Sequence, residues 1–247
     1  VPAAPAQPER FAPPSPEPPP AETDPTLEEQ VAGRESPQAA LAFLREQFDA
    51  AAETHEGGDF RTLIALCNTL ITRWPESCES LDARKLISRC HTQLADHEAA
   101  RCAFLDYADE AGRRRKQELL AQGLSAEEAA AKGEARTAGV IFKEAGRLFY
   151  SDKEYIAALS YGDVILTRYP GAEQSLDVQR LMGEYHLRLR QPAQAVEAFQ
   201  TLIAEAPESP PAMRARISLP SALFNTGRKE EAVQAWLERS SKKCWSI

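Results

Sequence analysis

From Ser36 onward the chain is rich in helix-forming residues. Ala, Leu, Glu, Gln and Arg dominate, and no stretch shows the Val, Ile and Thr alternation that is typical of a strand. Glycine and proline interrupt this pattern at intervals, for example at Gly57-Gly58, Pro75, Gly123 and Pro170. These interruptions predict helices of about 12 to 20 residues joined by short turns.

Residues 1–35 have a different composition. Nine of the 18 prolines lie in the first 20 residues, as in the string FAPPSPEPPP. A segment so poor in apolar side chains and amide donors predicts a proline-rich, disordered tether. A plain linker and a ligand for a proline-recognising domain are the two alternative roles for it.

The helical part repeats itself. The string TRYPGAEQSLD at Thr167 nearly duplicates TRWPESCESLD at Thr72, an offset of 95 residues. A second offset, of 37 residues, brings small residues and prolines into register: Gly146 with Gly183, Ala158 with Ala195, Pro170 with Pro207, and Ala195 with Ala232. A helix pair of this length cannot bury its apolar face alone, whereas stacked neighbours can. The sequence therefore predicts a row of helix pairs.

The repeated pattern resembles the tetratricopeptide (TPR) repeat. In that family a small residue on the first helix admits the second helix, a small residue and an aromatic ring fill the gap, and a proline closes the unit. Gly183, Ala195, Phe199 and Pro207 stand in those places. The resemblance covers roughly residues 37 to 240 and implies an all-α fold, a right-handed TPR-like α-solenoid of about five helix pairs.

A repeat of about 37 residues that ends in Tyr-Pro or Trp-Pro is similar to the repeats of bacterial cell-envelope TPR scaffold proteins. These include outer-membrane assembly lipoproteins and a periplasmic protein linked to the Tol–Pal system. The resemblance implies a non-catalytic scaffold or adaptor of a bacterial envelope assembly, located in the periplasm or cell envelope. A cytoplasmic TPR adaptor or co-chaperone, and the helical recruitment module of a larger enzyme or secretion system, are the alternatives.

The start VPAAPAQ, without Met, fits a protease-cut mature N-terminus or a domain boundary.

The two offsets do not agree, and the difference locates an insertion. Two units of 37 residues make 74, which is 21 short of 95. The segment GRRRKQELLAQGLSAEEAAAKGEA is strongly helix-forming apart from a break at residues 122–124, and Ser125 with Glu128 is a capping-box pattern. We expect an extended helical hairpin at 111–133 between repeats 1–2 (36–110) and repeats 3–5 (134–240), with a tail at 241–247. A charged loop is the alternative to the hairpin.

Charge and motifs narrow the chemistry. The 247 residues carry a net charge of −8, which argues against nucleic acid as the partner. The chain lacks an apolar run long enough for a membrane span. It also lacks the glycine-rich nucleotide loops, H-E-x-x-H and C-x-x-C, and its four histidines are not at metal-ligand spacing. We expect a protein that is not an enzyme and needs no cofactor or metal.

Five cysteines leave two interpretations open. Cys90 and Cys102 are centred on residue 96, near a predicted turn between antiparallel helices, so a disulfide between them is one interpretation in an oxidising compartment. Free thiols packed as small hydrophobic side chains are the other. An odd number of cysteines leaves at least one thiol unpaired.

The TPR resemblance also implies where a protein partner binds, namely the concave face lined by the first helix of each pair. Transferring the family's groove positions gives Asp82, Lys85, Arg89, Lys143, Arg147, Tyr150, Asp177, Arg180, Glu184 and Arg214. Several are basic in an acidic chain, which favours an acidic peptide or a C-terminal carboxylate as the ligand. A solvated helix face is the alternative, and the Asn residues of the family's carboxylate clamp are missing.

A second basic cluster occupies residues 113–116, with the sequence Arg-Arg-Arg-Lys. On the proposed arm, it could meet an acidic partner or support peripheral association with anionic lipid heads. The alternative is an ordinary solvated helix end.

Overall fold

The computed structural model describes residues 25–54, 57–152 and 154–243. This part of the chain consists of helices and turns, with no strand. The α-helices are α1 (Pro25–Ala32), α2 (Pro37–Thr54), α3 (Gly57–Arg73), α4 (Cys78–Gln93), α5 (His97–Ala121), α6 (Ala126–Arg147), α7 (Tyr155–Arg168), α8 (Ser175–Arg188), α9 (Pro192–Glu205), α10 (Pro210–Asn225) and α11 (Lys229–Lys243). A π-helical turn, Leu148–Asp152, follows α6.

Ten of these helices form five successive pairs, α2/α3 to α10/α11. Each helix packs against the next along the chain, and first helices of adjacent pairs also touch, α2 with α4 and α8 with α10. Such contacts between neighbours are typical of a solenoid. The predicted all-α fold, a right-handed TPR-like solenoid of five helix pairs, is confirmed.

The predicted boundaries of both ends need correction. Pro25–Ala32 lies inside the predicted tether but forms α1, which packs against α3. Val31 is fully buried in the core and Leu27 packs against the same cluster, because their spacing of four residues places both on one helix face. At the other end, α11 continues to Lys243, so the first three residues of the predicted tail are helical. Residues 1–24 and 244–247 lie outside the described part.

The small residue that the TPR resemblance implies on the first helix is confirmed in the fourth pair. A Cβ added to Gly183 would lie 2.7 Å from Cδ1 of Phe199, whose ring is fully buried. The equivalent Gly146 has no atom within 4 Å of such a Cβ. The reason is that Gly162 replaces the aromatic residue in that unit, so no ring reaches Gly146. The close approach implied there is not made.

The duplicated string forms two similar turns, each closed by its serine hydroxyl on a neighbouring but not equivalent carbonyl. Oγ of Ser80 donates to the carbonyl of Pro75 (2.8 Å), and Oγ of Ser175 donates to the carbonyl of Tyr169 (3.0 Å). Both serines are buried. In each case a hydroxyl at the start of a first helix closes the turn that ends the preceding pair.

The inserted residues lengthen two helices. α5 has 25 residues and α6 has 22, and they are joined by a turn in which Gly123 adopts φ +88°. Ser125 and Glu128 form the capping box. The helices cross at Gly112 and Gly133, where an added Cβ on Gly112 would lie 2.7 Å from the carbonyl oxygen of Gly133. The predicted extended hairpin is confirmed.

The basic cluster at 113–116 is largely engaged within the chain. Arg113 donates to Glu110 (2.7 Å), and Arg115 pairs with Glu118 (2.8 Å). The guanidinium of Arg114 reaches the α3–α4 turn, where it donates to the carbonyls of Pro75 (2.7 Å) and Ser77 (2.5 Å) and to Oγ of Ser80 (2.6 Å). Three of the four cations therefore pair within α5 or with the α3–α4 turn, which leaves less free positive charge for anionic lipid heads.

Glu110 offers a pH test of this junction. Hydrogen bonds from Arg113 and Arg114 lower the pKa of Glu110 to about 2, below its value in an unfolded chain. Its carboxylate therefore stabilises the fold fully above about pH 4.5, and this stabilisation is lost as the pH falls towards 2. Glu110→Gln should lower the melting temperature by roughly 2–4 °C at pH 7, as about 1 kcal/mol would in a chain of this size.

The measurement is thermal unfolding followed by circular dichroism at pH 7 and pH 3. The difference in melting temperature between wild type and Glu110→Gln should be smaller at pH 3 than at pH 7, since part of the wild-type carboxylate is then protonated. Glu118→Gln is the control. Glu118 forms a solvent-exposed ion pair with Arg115, so this substitution should lower the melting temperature less than Glu110→Gln does. A gap that stays constant with pH would contradict the assignment.

Candidate functional site

Four of the ten predicted partner-binding residues meet in one groove. Asp82, Lys85 and Arg89 of α4 face Arg147 of α6 across a cavity of about 580 Å³. Further lining residues include Arg45 of α2, Phe104 of α5 and Glu144 of α6. We call this cavity the α4–α6 groove. It lies between the first helices of the second and third pairs, with the second helix α5 contributing to its lining.

Ion pairs link equivalent repeat positions along this face. Arg45 and Asp82 are 37 residues apart and pair at 2.9 Å. Asp177 and Arg214 are also 37 residues apart, at 3.8 Å. Stacking places the same repeat position of adjacent first helices side by side, so opposite charges at this spacing attract. All four side chains are at least 40% exposed, so each pair adds little stability and mainly sets local charge.

Lys85 and Arg89 are held differently. The guanidinium of Arg89 lies 4.3 Å from the centroid of the Phe48 ring, and Nζ of Lys85 lies 5.9 Å from that of Tyr107. Neither forms an ion pair with a carboxylate of the described residues. The aromatic faces orient both cations without neutralising them. Both side chains are exposed, so they offer the positive charge that the groove can present to a ligand.

The predicted site residues of α8 and α10 form a separate cluster in which charge is already matched. Arg180 is only 9% exposed and pairs with Glu184 at 2.5 Å and Asp177 at 3.7 Å. Its guanidinium is thus enclosed by two carboxylates of its own helix. Arg180 and Glu184 hold each other, and neither is placed as a free contact for a partner.

The remaining two predicted site residues lie outside both the α4–α6 groove and the α8–α10 cluster. Lys143 is exposed on α6 but does not line the cavity. Tyr150 is 63% exposed in the π-helical turn, with its ring 4.7 Å from that of Phe149. The structure therefore divides the ten predicted residues into a groove of four, a matched cluster at α8–α10, and two exposed side chains.

Sequence reasoning missed Arg45, Phe104 and Glu144. A signal for Arg45 was available, because it lies one repeat of 37 residues before Asp82. Glu144 carries no such mark, and it forms an i,i+3 ion pair with Arg147. Phe104 is buried, with 4% of its side chain exposed, so sequence analysis assigns it to the core.

The proposed Cys90–Cys102 disulfide is not present. Both thiols are free; Cys90 is fully buried in the core formed with α3, whereas Cys102 is exposed and its Sγ donates to Glu98 (3.7 Å). The two side chains thus leave their helices towards different surroundings. Burial raises the pKa of Cys90 to about 12 and that of Cys67 well above its usual value. These two thiols behave as small hydrophobic core residues.

Metal sites and membrane-spanning helices are both absent from the described residues. Among residues 25–54, 57–152 and 154–243, no cluster of His, Cys, Asp or Glu has the arrangement of a metal site. Within the same ranges, no helix has the length and apolarity needed to cross a bilayer.

Similarity to known proteins points to one family. The tetratricopeptide repeat family model matches residues 180–244, which span α8 to α11. No curated protein matches the chain. Among solved structures, the nearly identical TPR-like repeats of a kinesin-light-chain-like protein from Podosopora anserina show 14% identity and a TM-score of 0.37, covering 87% of this chain and all of that one.

The MamA protein gives similar values. It shows 14% identity and a TM-score of 0.39, and the alignment covers 84% of this chain and 96% of MamA. At TM-scores below 0.5 neither likeness supports a shared function. The family match over residues 180–244 and the five stacked helix pairs, with Gly183 against Phe199, show a tetratricopeptide repeat in this part of the chain and a TPR-like solenoid fold; such repeats mediate protein–protein interaction.

Proposed function

We propose that this chain is a non-catalytic scaffold that docks an acidic segment of a partner protein in the α4–α6 groove. The observation that carries this proposal is the placement of Lys85 and Arg89 against aromatic rings with no carboxylate to neutralise them. Four cations line the groove, Arg45, Lys85, Arg89 and Arg147, against the two carboxylates Asp82 and Glu144. The groove is thus locally positive on a chain of net charge −8.

The physical reason for selectivity is the concave shape of the site. Charge of one sign in a cleft with low-dielectric walls concentrates the field, so a flexible anionic segment is attracted more strongly than to a flat face. Phe104 and Leu86 form an apolar floor beneath the cations, although each is only 4% exposed. A peptide that combines carboxylates with one or two apolar side chains fits this combination better than an inorganic anion.

We further propose that the partner belongs to a bacterial envelope assembly and that the chain works in the periplasm. Support comes from the repeat of 37 residues with its Trp74-Pro75 and Tyr169-Pro170 turns, which is similar to repeats of envelope scaffold proteins. Osmotic-shock fractionation of the native host, followed by immunoblotting, tests this location. Recovery of the protein with cytoplasmic markers would reject the periplasm and leave the groove proposal standing.

The groove is tested by charge reversal. Lys85→Glu combined with Arg89→Glu should weaken binding of a fluorescein-labelled acidic peptide at least about tenfold in fluorescence anisotropy, because attraction becomes repulsion. A peptide with a free C-terminus and its amidated form are both measured. Preference for the free acid identifies a terminal carboxylate as the recognised group, and equal binding identifies internal acidic side chains.

The matched control reverses the same number of positive charges at exposed positions outside the groove. Arg61→Glu with Lys132→Glu alters two exposed cations outside the groove and should leave peptide affinity within about twofold, apart from a long-range effect that salt screens. The same variants are then used in pull-downs from host lysate with mass spectrometry. If the groove variant binds the peptide and captures partners as wild type does, the α4–α6 groove is not the docking site.

A further inference from the structure

The last helix pair exposes most of the large apolar side chains at the surface. Among the residues that the structure describes, nine large hydrophobic side chains are exposed, and six of them lie on α10 and α11. We call these six the end face: Met213, Ile217, Phe224, Val233, Trp236 and Leu237. Apolar side chains scattered singly over a surface are ordinary, but six on one helix pair are not.

The six side chains form one continuous surface. Met213, Ile217 and Phe224 lie at i, i+4 and i+11 and share one stripe of α10. Val233, Trp236 and Leu237 lie at i, i+3 and i+4 and share one stripe of α11. The rings of Phe224 and Trp236 are 6.4 Å apart, which joins the two stripes.

For four of the six positions, the equivalent residue of the fourth pair is apolar and packed, whereas the equivalents of Ile217 and Leu237 are Arg180 and the exposed Gln200. The positions 37 residues before Met213, Phe224, Val233 and Trp236 are Leu176, Leu187, Val196 and Phe199. Leu176 and Leu187 pack against the core that includes Ala212, Ala215 and Ala222 of α10, and Val196 and Phe199 are at most 3% exposed in that core. In the fourth pair the next first helix therefore covers these positions. α11 is the last helix described, and each of the six end-face side chains is at least 40% exposed.

We propose that a second copy of this chain covers the end face, in a two-fold symmetric dimer through α10 and α11. The exposed fractions, 40% for Trp236 to 60% for Leu237, leave on the order of 600 Å² of apolar surface open. A stable interface needs about 800 Å² from each partner, including its polar rim. The apolar stripes thus supply most of the required area.

Symmetry explains why the second copy fits. A two-fold interface places the same patch on both partners, so an apolar patch meets an apolar patch. It also closes the assembly, because each copy's patch is used up by the other copy. The α4–α6 groove lies on other helices, so the dimer presents two grooves and this inference stands independently of the proposed ligand.

Sedimentation equilibrium of the full chain tests the dimer. Wild type should show twice the monomer mass of 27.2 kDa, about 54 kDa, at micromolar concentration. Ile217→Glu and Leu237→Glu each place a charge in the end face and should weaken dimerisation at least about tenfold. Ile156→Glu is the matched control, because Ile156 is 75% exposed on α7 and should leave the dimer intact.

Circular dichroism of each variant checks the fold, and because both substituted residues are more than half exposed, helicity should be unchanged. Three outcomes would overturn the inference. Wild type could be a monomer up to about 100 µM, a concentration at which even a weak interface assembles. The dimer could persist in both end-face variants, or wild type could form masses that grow beyond the dimer, which marks an open rather than a closed contact.

Discussion

Gly112→Ala is expected to lower the free energy of unfolding by about 2 kcal/mol, although alanine is the better helix former. The new methyl group would meet Oγ1 of Thr137 and lie 2.7 Å from the carbonyl oxygen of Gly133. A backbone carbonyl within a helix cannot turn aside, so α5 and α6 must separate along the hairpin. The gain in helix propensity, about 1 kcal/mol, offsets only part of this cost.

Urea unfolding followed by circular dichroism at 222 nm measures the effect, with Gly146→Ala as the control. Gly146 lies on α6, the other helix of the hairpin, and an added Cβ there meets no atom within 4 Å. The control variant should be as stable as wild type or more stable by up to about 1 kcal/mol. Equal stability changes in the two variants would show that the glycine crossing does not hold the hairpin together.

Local signals made most of the architecture predictable. The capping-box pattern of Ser125 and Glu128 correctly fixed the start of α6, because capping depends on residues three apart in sequence. The duplicated Trp-Pro and Tyr-Pro strings fixed two turns, each closed by a serine hydroxyl. A mismatch between offsets of 37 and 95 located the inserted hairpin. These signals depend on neighbours in the chain, which a single sequence displays.

The failures have a common physical origin in long-range contacts. Gly146 is an exception: it matches the family position, and Gly162 in place of the aromatic residue already indicates in the sequence that no ring reaches it. Arg180 occupies a groove position, but Asp177 and Glu184 neutralise it. α1 was missed because Val31 and Leu27 become core residues only once α3 is there to cover them.

The sequence predicted four residues that line the groove but not which of their charges are free. Asp82, Lys85, Arg89 and Arg147 follow from the position of first helices in a repeat, which the register supplies. The role of Lys85 and Arg89 as unneutralised cations does not follow, since it depends on the rings of Tyr107 and Phe48 from other helices. The repeat register predicts which residues line a concave face, whereas the tertiary packing determines which of their charges stay unpaired.

Arg114→Ala is expected to lower the free energy of unfolding by about 2–3 kcal/mol. Arg114 sits on α5, and its guanidinium donates to the carbonyls of Pro75 and Ser77 and to Oγ of Ser80 in the α3–α4 turn. Truncation leaves these acceptors without a charged donor. Truncation also removes the hydrogen bond from Nε of Arg114 to Glu110 (2.7 Å). Water reaches the turn and recovers part of the loss, which keeps the change below the sum of four charged hydrogen bonds.

Two further variants distinguish the effect of the planar guanidinium hydrogen bonds of Arg114 from the effect of its positive charge. Arg114→Lys keeps the positive charge but cannot reach three acceptors in a planar fork, so its loss should fall between those of wild type and Arg114→Ala. Arg115→Ala, one residue along α5, removes only an exposed pair with Glu118 and should stay within about 0.5 kcal/mol of wild type. Hydrogen exchange adds a local readout, since amides of residues 77–80 should exchange faster in Arg114→Ala. Unchanged exchange there, or equal losses from the Arg114 and Arg115 truncations, would mean that apolar packing alone holds α5 against the α3–α4 turn.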